Sequence, residues 1–324
     1  MRAAWIVVLA CGCGRLGFDP GGGGGNDGGG LLDDGARRDA TSGLDASIDG
    51  GPCVLGPWGT PTPLPGVNTA DDELGPWLSA DRRELFFSSD RTGLTLDVYR
   101  ATRADVAAGF DAAAAVANLN SDFGDDVDVV LSDDGLTLWY ADVSGGPLLI
   151  EEMVRTVPGA PFAVADSYIE LRDPGATGGA SDDSSDRSPS LSADRLEILF
   201  SSERFGLDAD IYRSTRGSPT GSWLLASRVD DLSASGATDV AVARSPDDQQ
   251  VLLSRRIGGG AFKLYVADRQ GAGFSAPTPF APAAADGDQR DAAWSTDGRT
   301  IVYASSQAGG AGGYDLYQIE RSCL

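Results

Sequence analysis

The sequence predicts an all-β fold: a five-bladed β-propeller of four-stranded antiparallel blades, its ring closed by an N-terminal strand. Three observations predict it. A motif built on a fixed Ser recurs five times. Each copy sits among short apolar strands, with no useful run of helical periodicity. The last copy lacks a fourth strand, and a matching segment stands ahead of the first.

The strongest copies are Leu78-Ser79-Ala80-Asp81-Arg82-Arg83-Glu84-Leu85-Phe86-Phe87 and Leu191-Ser192-Ala193-Asp194-Arg195-Leu196-Glu197-Ile198-Leu199-Phe200. Weaker ones begin at Leu131-Ser132, Arg244-Ser245 and Trp294-Ser295. The fixed Ser falls at 79, 132, 192, 245 and 295, so the spacings are 53, 60, 53 and 50. In each copy a strand runs into a Ser-x-Asp-x turn, where short polar side chains can bond the turn backbone. A second apolar strand follows, then a loop such as Ser89-Asp90-Arg91-Thr92-Gly93. Third strands read Asp97-Val98-Tyr99-Arg100, Asp210-Ile211-Tyr212-Arg213, Lys263-Leu264-Tyr265-Val266 and Asp315-Leu316-Tyr317-Gln318. A fourth follows an aromatic: Phe110, Phe162, Trp223 or Phe274. Four short strands at a period near ~50 residues mark a propeller blade.

The fifth copy ends after its third strand. Residues 57–68, Pro57 to Asn68, look like the fourth-strand segments and should complete that blade. Cys53 precedes this strand and Cys323 follows the last third strand. Antiparallel neighbours place the start of one beside the end of the other. Cys53 and Cys323 are therefore expected to bridge, at a Cα separation of ~4.4–6.8 Å.

The repeats resemble the TolB-type (WD40-like) β-propeller repeat, with its Pro-x-Leu-Ser-x-Asp-Gly core, its Ser-x-Arg-x-Gly loop and its Asp-Ile-Tyr strand. Gly75-Pro76 and Ser188-Pro189 supply the Pro, and Ser202-Glu203-Arg204-Phe205-Gly206 repeats the loop. The resemblance covers residues 57–320 and implies a part in an envelope protein assembly. The second copy departs from it after Tyr140.

The chain starts Met1-Arg2, and an apolar run from Ala3 ends Val8-Leu9-Ala10-Cys11. The run is far short of the ~20 residues a spanning helix needs. It is similar to the lipobox of bacterial lipoproteins, which implies acylation of Cys11, with Cys13 the less fitting choice. Residues 1–13 are thus read as signal peptide and lipobox. Residues 14–52, rich in Gly and Asp, read as a tether with a coil span of about 30–40 Å. Residues 53–324 are the propeller. The expected location is outside the cytoplasm, as an outer-membrane-anchored lipoprotein facing the periplasm or the cell surface. There disulfides persist.

Composition narrows the chemistry. The chain has 25 basic against 48 acidic residues, a net charge of -23. That balance opposes nucleic-acid binding, which needs clustered Lys and Arg. It suits basic partners or divalent cations, or simply keeps an exported protein soluble. His is absent, which removes Ser-His-Asp and Cys-His nucleophile systems and every His metal site. Lys occurs once, at Lys263, read as codon bias alone.

Six residues before each fixed Ser stand Glu73, Asp126, Asp186 and Asp239; the fifth copy has Gln289 there and Asp291 two residues on. Two readings of this column stay open. Glu73, Asp126, Asp186, Asp239 and Asp291 form a rim for a cation such as Ca2+ or for a basic partner, or they bond neighbouring loops. The expected function is binding or scaffolding by a monomer, with no catalytic residue and no cofactor beyond that cation. The alternative is a five-bladed glycosidase using acids such as Glu73, Asp126 and Asp186, set ~5–10 Å apart. Trp77 and Trp294 are expected to pack blades rather than to stack sugars.

Overall fold

The computed structural model describes residues 53–120, 124–142, 149–168, 171, 185–204, 208–283 and 286–324. Cys11, the lipobox and the tether lie outside the described residues. Blade 1 comprises β2 (Glu73–Leu78), β3 (Glu84–Ser89), β4 (Asp97–Thr102) and β5 (Ala114–Ala115). Blade 2 comprises β6 (Asp126–Leu131), β7 (Thr137–Asp142), β8 (Leu149–Val154) and β9 (Ala163–Ser167). Blade 3 comprises β10 (Asp186–Leu191), β11 (Glu197–Ser202), β12 (Asp210–Thr215) and β13 (Ser227–Arg228). Blade 4 comprises β14 (Ala237–Arg244), β15 (Gln250–Ile257) and β16 (Lys263–Gln270), with β17 (Gly273–Phe274) and β18 (Thr278–Pro279) both on β16. Blade 5 comprises β19 (Gln289–Trp294), β20 (Thr300–Ser305) and β21 (Asp315–Glu320), and its outer strand is β1 (Thr62–Pro63).

The ring closes as the sequence predicts. Thr62 pairs with Gln318 and Pro63 with Tyr317, and Leu55 bridges to Cys323. Cys53 and Cys323 are disulfide-bonded at a Cα separation of 5.2 Å. Strand alternation sends successive side chains to opposite faces, and this builds five cores between five blades. Phe86 packs with Leu138 and Tyr140 of blade 2, whereas its neighbours Leu85 and Phe87 pack with Val302 and Leu316 of blade 5. Trp139 joins Phe200 and Tyr212 between blades 2 and 3. Leu199 joins Leu253 between blades 3 and 4, and Leu252 joins Tyr303 and Tyr317 between blades 4 and 5. Trp77 lies against Phe86, and Trp294 against Trp58.

The repeated turn explains why Ser and Asp recur. Ser79 Oγ donates to Asp81 Oδ1 at 2.7 Å and accepts from the Glu84 N–H at 2.9 Å, while Asp81 accepts from the Arg83 N–H at 3.0 Å. The other four copies repeat this pattern around Ser132, Ser192, Ser245 and Ser295. The fourth turn residue is left-handed in every copy: Arg82, Gly135, Arg195, Asp248 and Gly298, at φ between 54° and 66°.

An arginine not anticipated from the sequence then ties each blade together. Arg103, Arg155, Arg216, Arg269 and Arg321 lie over Phe110, Phe162, Trp223, Phe274 and Trp58 at 4.4, 4.6, 4.1, 5.2 and 4.2 Å. Four of them also donate Nε–H to the carbonyl of the left-handed turn residue, at 2.6–2.8 Å. A planar guanidinium can stack and donate at once, which an ammonium cannot. At four of these five positions Lys would lose the paired stacking and Nε–H contacts.

Candidate functional site

The five inner strands β2, β6, β10, β14 and β19 each neighbour the next, and β19 neighbours β2, so they surround a central channel. Glu73, Asp126, Asp186, Asp239 and Gln289 occupy one register position on these strands, opposite Ser89, Asp142, Ser202, Arg255 and Ser305. All five are buried. Glu73 accepts from the Thr69 N–H at 2.9 Å, from Thr69 Oγ1 at 2.5 Å and from Arg91 at 2.9 Å. Asp186 pairs with Arg204 at 2.8 Å. Asp239 pairs with Arg255 at 2.5 Å and accepts from the Ala234 N–H at 2.8 Å. Burial raises the Glu73 and Asp239 carboxyls above the ordinary range, against the pull of those donors. The guanidiniums in turn lie over the blade aromatics: Arg91 over Tyr99, Arg204 over Tyr212, Arg255 over Tyr265.

Of the two readings of this column, these contacts match the bonded one at three positions. Glu73, Asp186 and Asp239 meet guanidinium donors of their own blades, and Glu73 and Asp239 also meet loop N–H groups. Asp126 is equally buried and stands opposite a second acid, Asp142. In blade 5 two amides, Gln289 and Gln307, replace the Glu73–Arg91 pair. Asp291 belongs to a different ring. Among the described residues, no three Asp, Glu or Cys side chains gather to hold a metal ion.

Two residues past Glu73, Asp126, Asp186, Asp239 and Gln289, the inner strand bulges. The register slips between Leu74 and Trp77, Val127 and Val130, Arg187 and Ser190, Val240 and Ala243, and Arg290 and Ala293. Each slip holds a left-handed residue: Gly75, Asp128, Ser188, Ala241 and Asp291, at φ between 54° and 61°. Only Gly accepts that conformation without strain, and others cost roughly 1–2 kcal/mol. Bulges re-aim side chains and often sit beside functional sites.

The bulges bring polar groups of several blades together. Asp128 Oδ2 accepts from the Ser188 N–H at 3.1 Å and from Ser188 Oγ at 2.9 Å, across a blade boundary. Asp128 and Asp291 flank blade 1, whose bulge residue is Gly75. A Cβ on Gly75 would lie 3.3 Å from the Asp128 nitrogen and 3.4 Å from its Oδ1. Arg290 Nε donates to Asp291 at 3.2 and 3.3 Å, and Arg187 pairs with Glu203 at 2.5 Å. Asp128 is half-buried. Burial, then the charge of Asp291, pushes its carboxyl up to about 6. A carboxyl in that range can donate or accept a proton near neutral pH. Arg290 also lies 5.8 Å over Tyr314, whose hydroxyl donates to Asp288 at 2.6 Å and is pushed up to about 12, chiefly by burial.

Of the residues singled out in the sequence, Asp291 alone reaches this cluster. Asp128 and Ser188 were missed. They stand in a column two residues beyond the acids, Gly75, Asp128, Ser188, Ala241 and Asp291, which is constant in position but not in residue type.

No family model and no curated protein matches this chain. Solved structures do. The chain is similar to TolB from Acinetobacter baumannii at 20% identity and a TM-score of 0.43, covering 78% of this chain and 55% of that one. It therefore spans little more than half of that relative. It is similar to the α-L-arabinofuranosidase PaAbf62A from Podospora anserina at 15% identity and a TM-score of 0.53, covering 82% of this chain and 96% of that one. It is also similar to Zg3597, a family 117 glycoside hydrolase of Zobellia galactanivorans, at 11% identity and a TM-score of 0.55, covering 81% and 90%. At these identities the last two likenesses show a shared propeller fold.

Proposed function

We propose that the protein is an exported, lipid-anchored recognition disc of the cell envelope, a binding or scaffolding module rather than an enzyme. The observation that carries this reading is how the charges are distributed. Three of the five acids read as a possible rim, Glu73, Asp186 and Asp239, are tied to arginines inside the blades. The exposed charged residues among those described are acidic, save Arg83 and Arg228. Such a surface attracts a basic partner, or a cation such as Ca2+, over a distance and resists acidic ones. Acylation at Cys11 would keep the disc at the membrane.

Photo-crosslinking from Asp194 and Asp230 in intact cells tests the binding role. One envelope partner should be trapped, and once purified it should bind the full chain more weakly as salt rises. The lack of any reproducible adduct would count against the reading. Cys11→Ser should move the protein to the soluble fraction and remove fatty-acid labelling; unchanged labelling would remove the anchor.

One observation favours a second reading. Asp128 and Asp291, from different blades, interact in the channel, and one of them holds its proton to about 6. Glycoside hydrolysis requires an acid with a raised pKa beside a second carboxyl, and two hydrolases share the fold, although fold alone does not carry activity. Turnover of aryl arabinofuranosides that is lost in both Asp128→Asn and Asp291→Asn would establish it. No turnover across a broad aryl-glycoside panel would leave the binding role standing.

A further inference from the structure

Blade 2 differs from the other four at its outer edge. Its outer strand β9 has five residues, whereas β1, β5, β13, β17 and β18 have two each. Ala163, Val164, Ala165 and Asp166 are all exposed on it, Val164 at 64%. Val154, which pairs with Ala163, and Val157, in the turn between β8 and β9, are exposed too. β9 ends its sheet, so among the described residues no strand pairs with its far side. The Tyr168 N–H turns inward and donates to Ile150 O at 2.9 Å. The adjacent Ser167 N–H meets the Asp166 carboxylate instead, at 2.9 Å. A long exposed edge is a template for another strand, and the two-residue edges of the other blades are short enough to avoid that.

Charge decides what such an edge can accept. Residues 124–168 hold nine acids and one base. That base, Arg155, is buried over Phe162 and donates to Gly135 O. On the third strand, Glu151 stands where the other blades have Tyr99, Tyr212, Tyr265 and Tyr317. Glu152 stands where blades 1 and 3 carry Arg100 and Arg213, which pair with Glu84 and Glu197. Glu151 accepts from Ser167 Oγ at 2.9 Å and from the Tyr140 hydroxyl at 3.3 Å. Glu152 accepts from Trp139 Nε1 at 3.1 Å and from the Tyr168 hydroxyl. These donors are neutral, and no cation among the described residues forms a salt bridge with either Glu or with Asp166. Like charges oppose pairing with a second copy of this edge, and the register slip between Glu152 and Met153 also discourages indiscriminate pairing. A strand bearing Lys or Arg meets attraction instead.

We infer that the outer edge of β9 receives an extended basic segment of a partner protein as an added strand. Main-chain hydrogen bonds carry the affinity in such pairing, and side-chain chemistry carries the choice of partner. Here Lys or Arg side chains of the added strand lie beside Glu151, Glu152 and Asp166, and small apolar ones beside Ala163 and Val164. If the disc is the binding module proposed above, on which this rests, then blade 2 is the edge it binds with and a basic strand is what it binds.

Fluorescence anisotropy of a short peptide of alternating lysine and valine, titrated with the full chain, reads this directly. Its affinity should fall at least about ten-fold when its amides are N-methylated, which keeps the charge but blocks strand pairing. Val164→Pro, which removes an edge N–H, and Asp166→Lys should each weaken the unmodified peptide by a similar factor. Leu225→Pro, in the same slot of blade 3, should leave binding unchanged. Matching circular dichroism and melting midpoints would show that the fold is kept, and Asp166→Lys carries the test if Val164→Pro lowers the midpoint. Equal binding of the two peptides would overturn strand addition. Undiminished binding to Asp166→Lys, or an equal loss in Leu225→Pro, would overturn the choice of edge and leave the binding role standing on another surface. No binding of the peptide by the wild type would overturn it too, while adducts from Asp194 and Asp230 in cells would still report the binding role separately.

Discussion

Two rings of residues run around the inner strands, two positions apart. The first holds Glu73, Asp126, Asp186, Asp239 and Gln289; the second holds Gly75, Asp128, Ser188, Ala241 and Asp291. Both contain acids on the same five strands, yet their surroundings differ. Members of the first ring turn into the blades, where arginines and loop N–H groups meet them. Members of the second sit in bulges, and the polar ones meet partners across blade boundaries. Side-chain type therefore does not set the role. A single extra residue in the strand does, by changing which way the backbone aims its side chain.

Breaking the first ring should cost most. Asp186→Ala leaves Arg204, whose side chain is 2% exposed, without its carboxylate. Removing one partner of a buried pair costs about 3–5 kcal/mol. Urea unfolding should report a loss of that size, and a loss below about 1 kcal/mol would mean that the ring is not structural.

Asp128→Asn should act in the opposite direction and only above acidic pH. The folded-state pKa of Asp128 is raised, to about 6, so the native state favours the protonated form. Stability from that form is present below the ordinary carboxyl pKa and is lost as pH rises through about 6. The amide avoids this loss. The variant should exceed the wild type by roughly 1–2 kcal/mol at pH 8 and show no gain at pH 4. Smaller still, Gly75→Ala should cost about 1 kcal/mol, because its φ of +55° disfavours a side chain and the new methyl crowds Asp128. Ala241→Gly removes left-handed strain but frees the unfolded chain, so thermal melts should move by no more than about 0.5 kcal/mol in either direction.

Much of the fold could be read from residues alone. The Ser-x-Asp turns, the orphan fourth strand at residues 57–68 and the flanking cysteines all follow from local chemistry repeated along the chain. The acid column was also legible, but its direction was not. Burial of Glu73 depends on Thr69 and Arg91, which lie on loops whose approach only the folded blade shows. The bulge ring leaves no compositional trace, since Gly, Asp, Ser, Ala and Asp share no property. Its common feature is a backbone angle. The arginines at 103, 155, 216, 269 and 321 did recur visibly. They lie outside the apolar pattern that defined the repeat: four stand just after a third strand, and Arg269 near the end of one.

The most direct test is a carboxyl NMR titration of the wild type beside Asp291→Asn, with the Asp128 resonance assigned through Asp128→Asn. If bulges on blades 2 and 5 bring these acids together in the channel, Asp128 titrates near about 6, and its midpoint falls when Asp291 loses its charge. A midpoint near the usual ~4, unmoved by Asp291→Asn, would contradict the account.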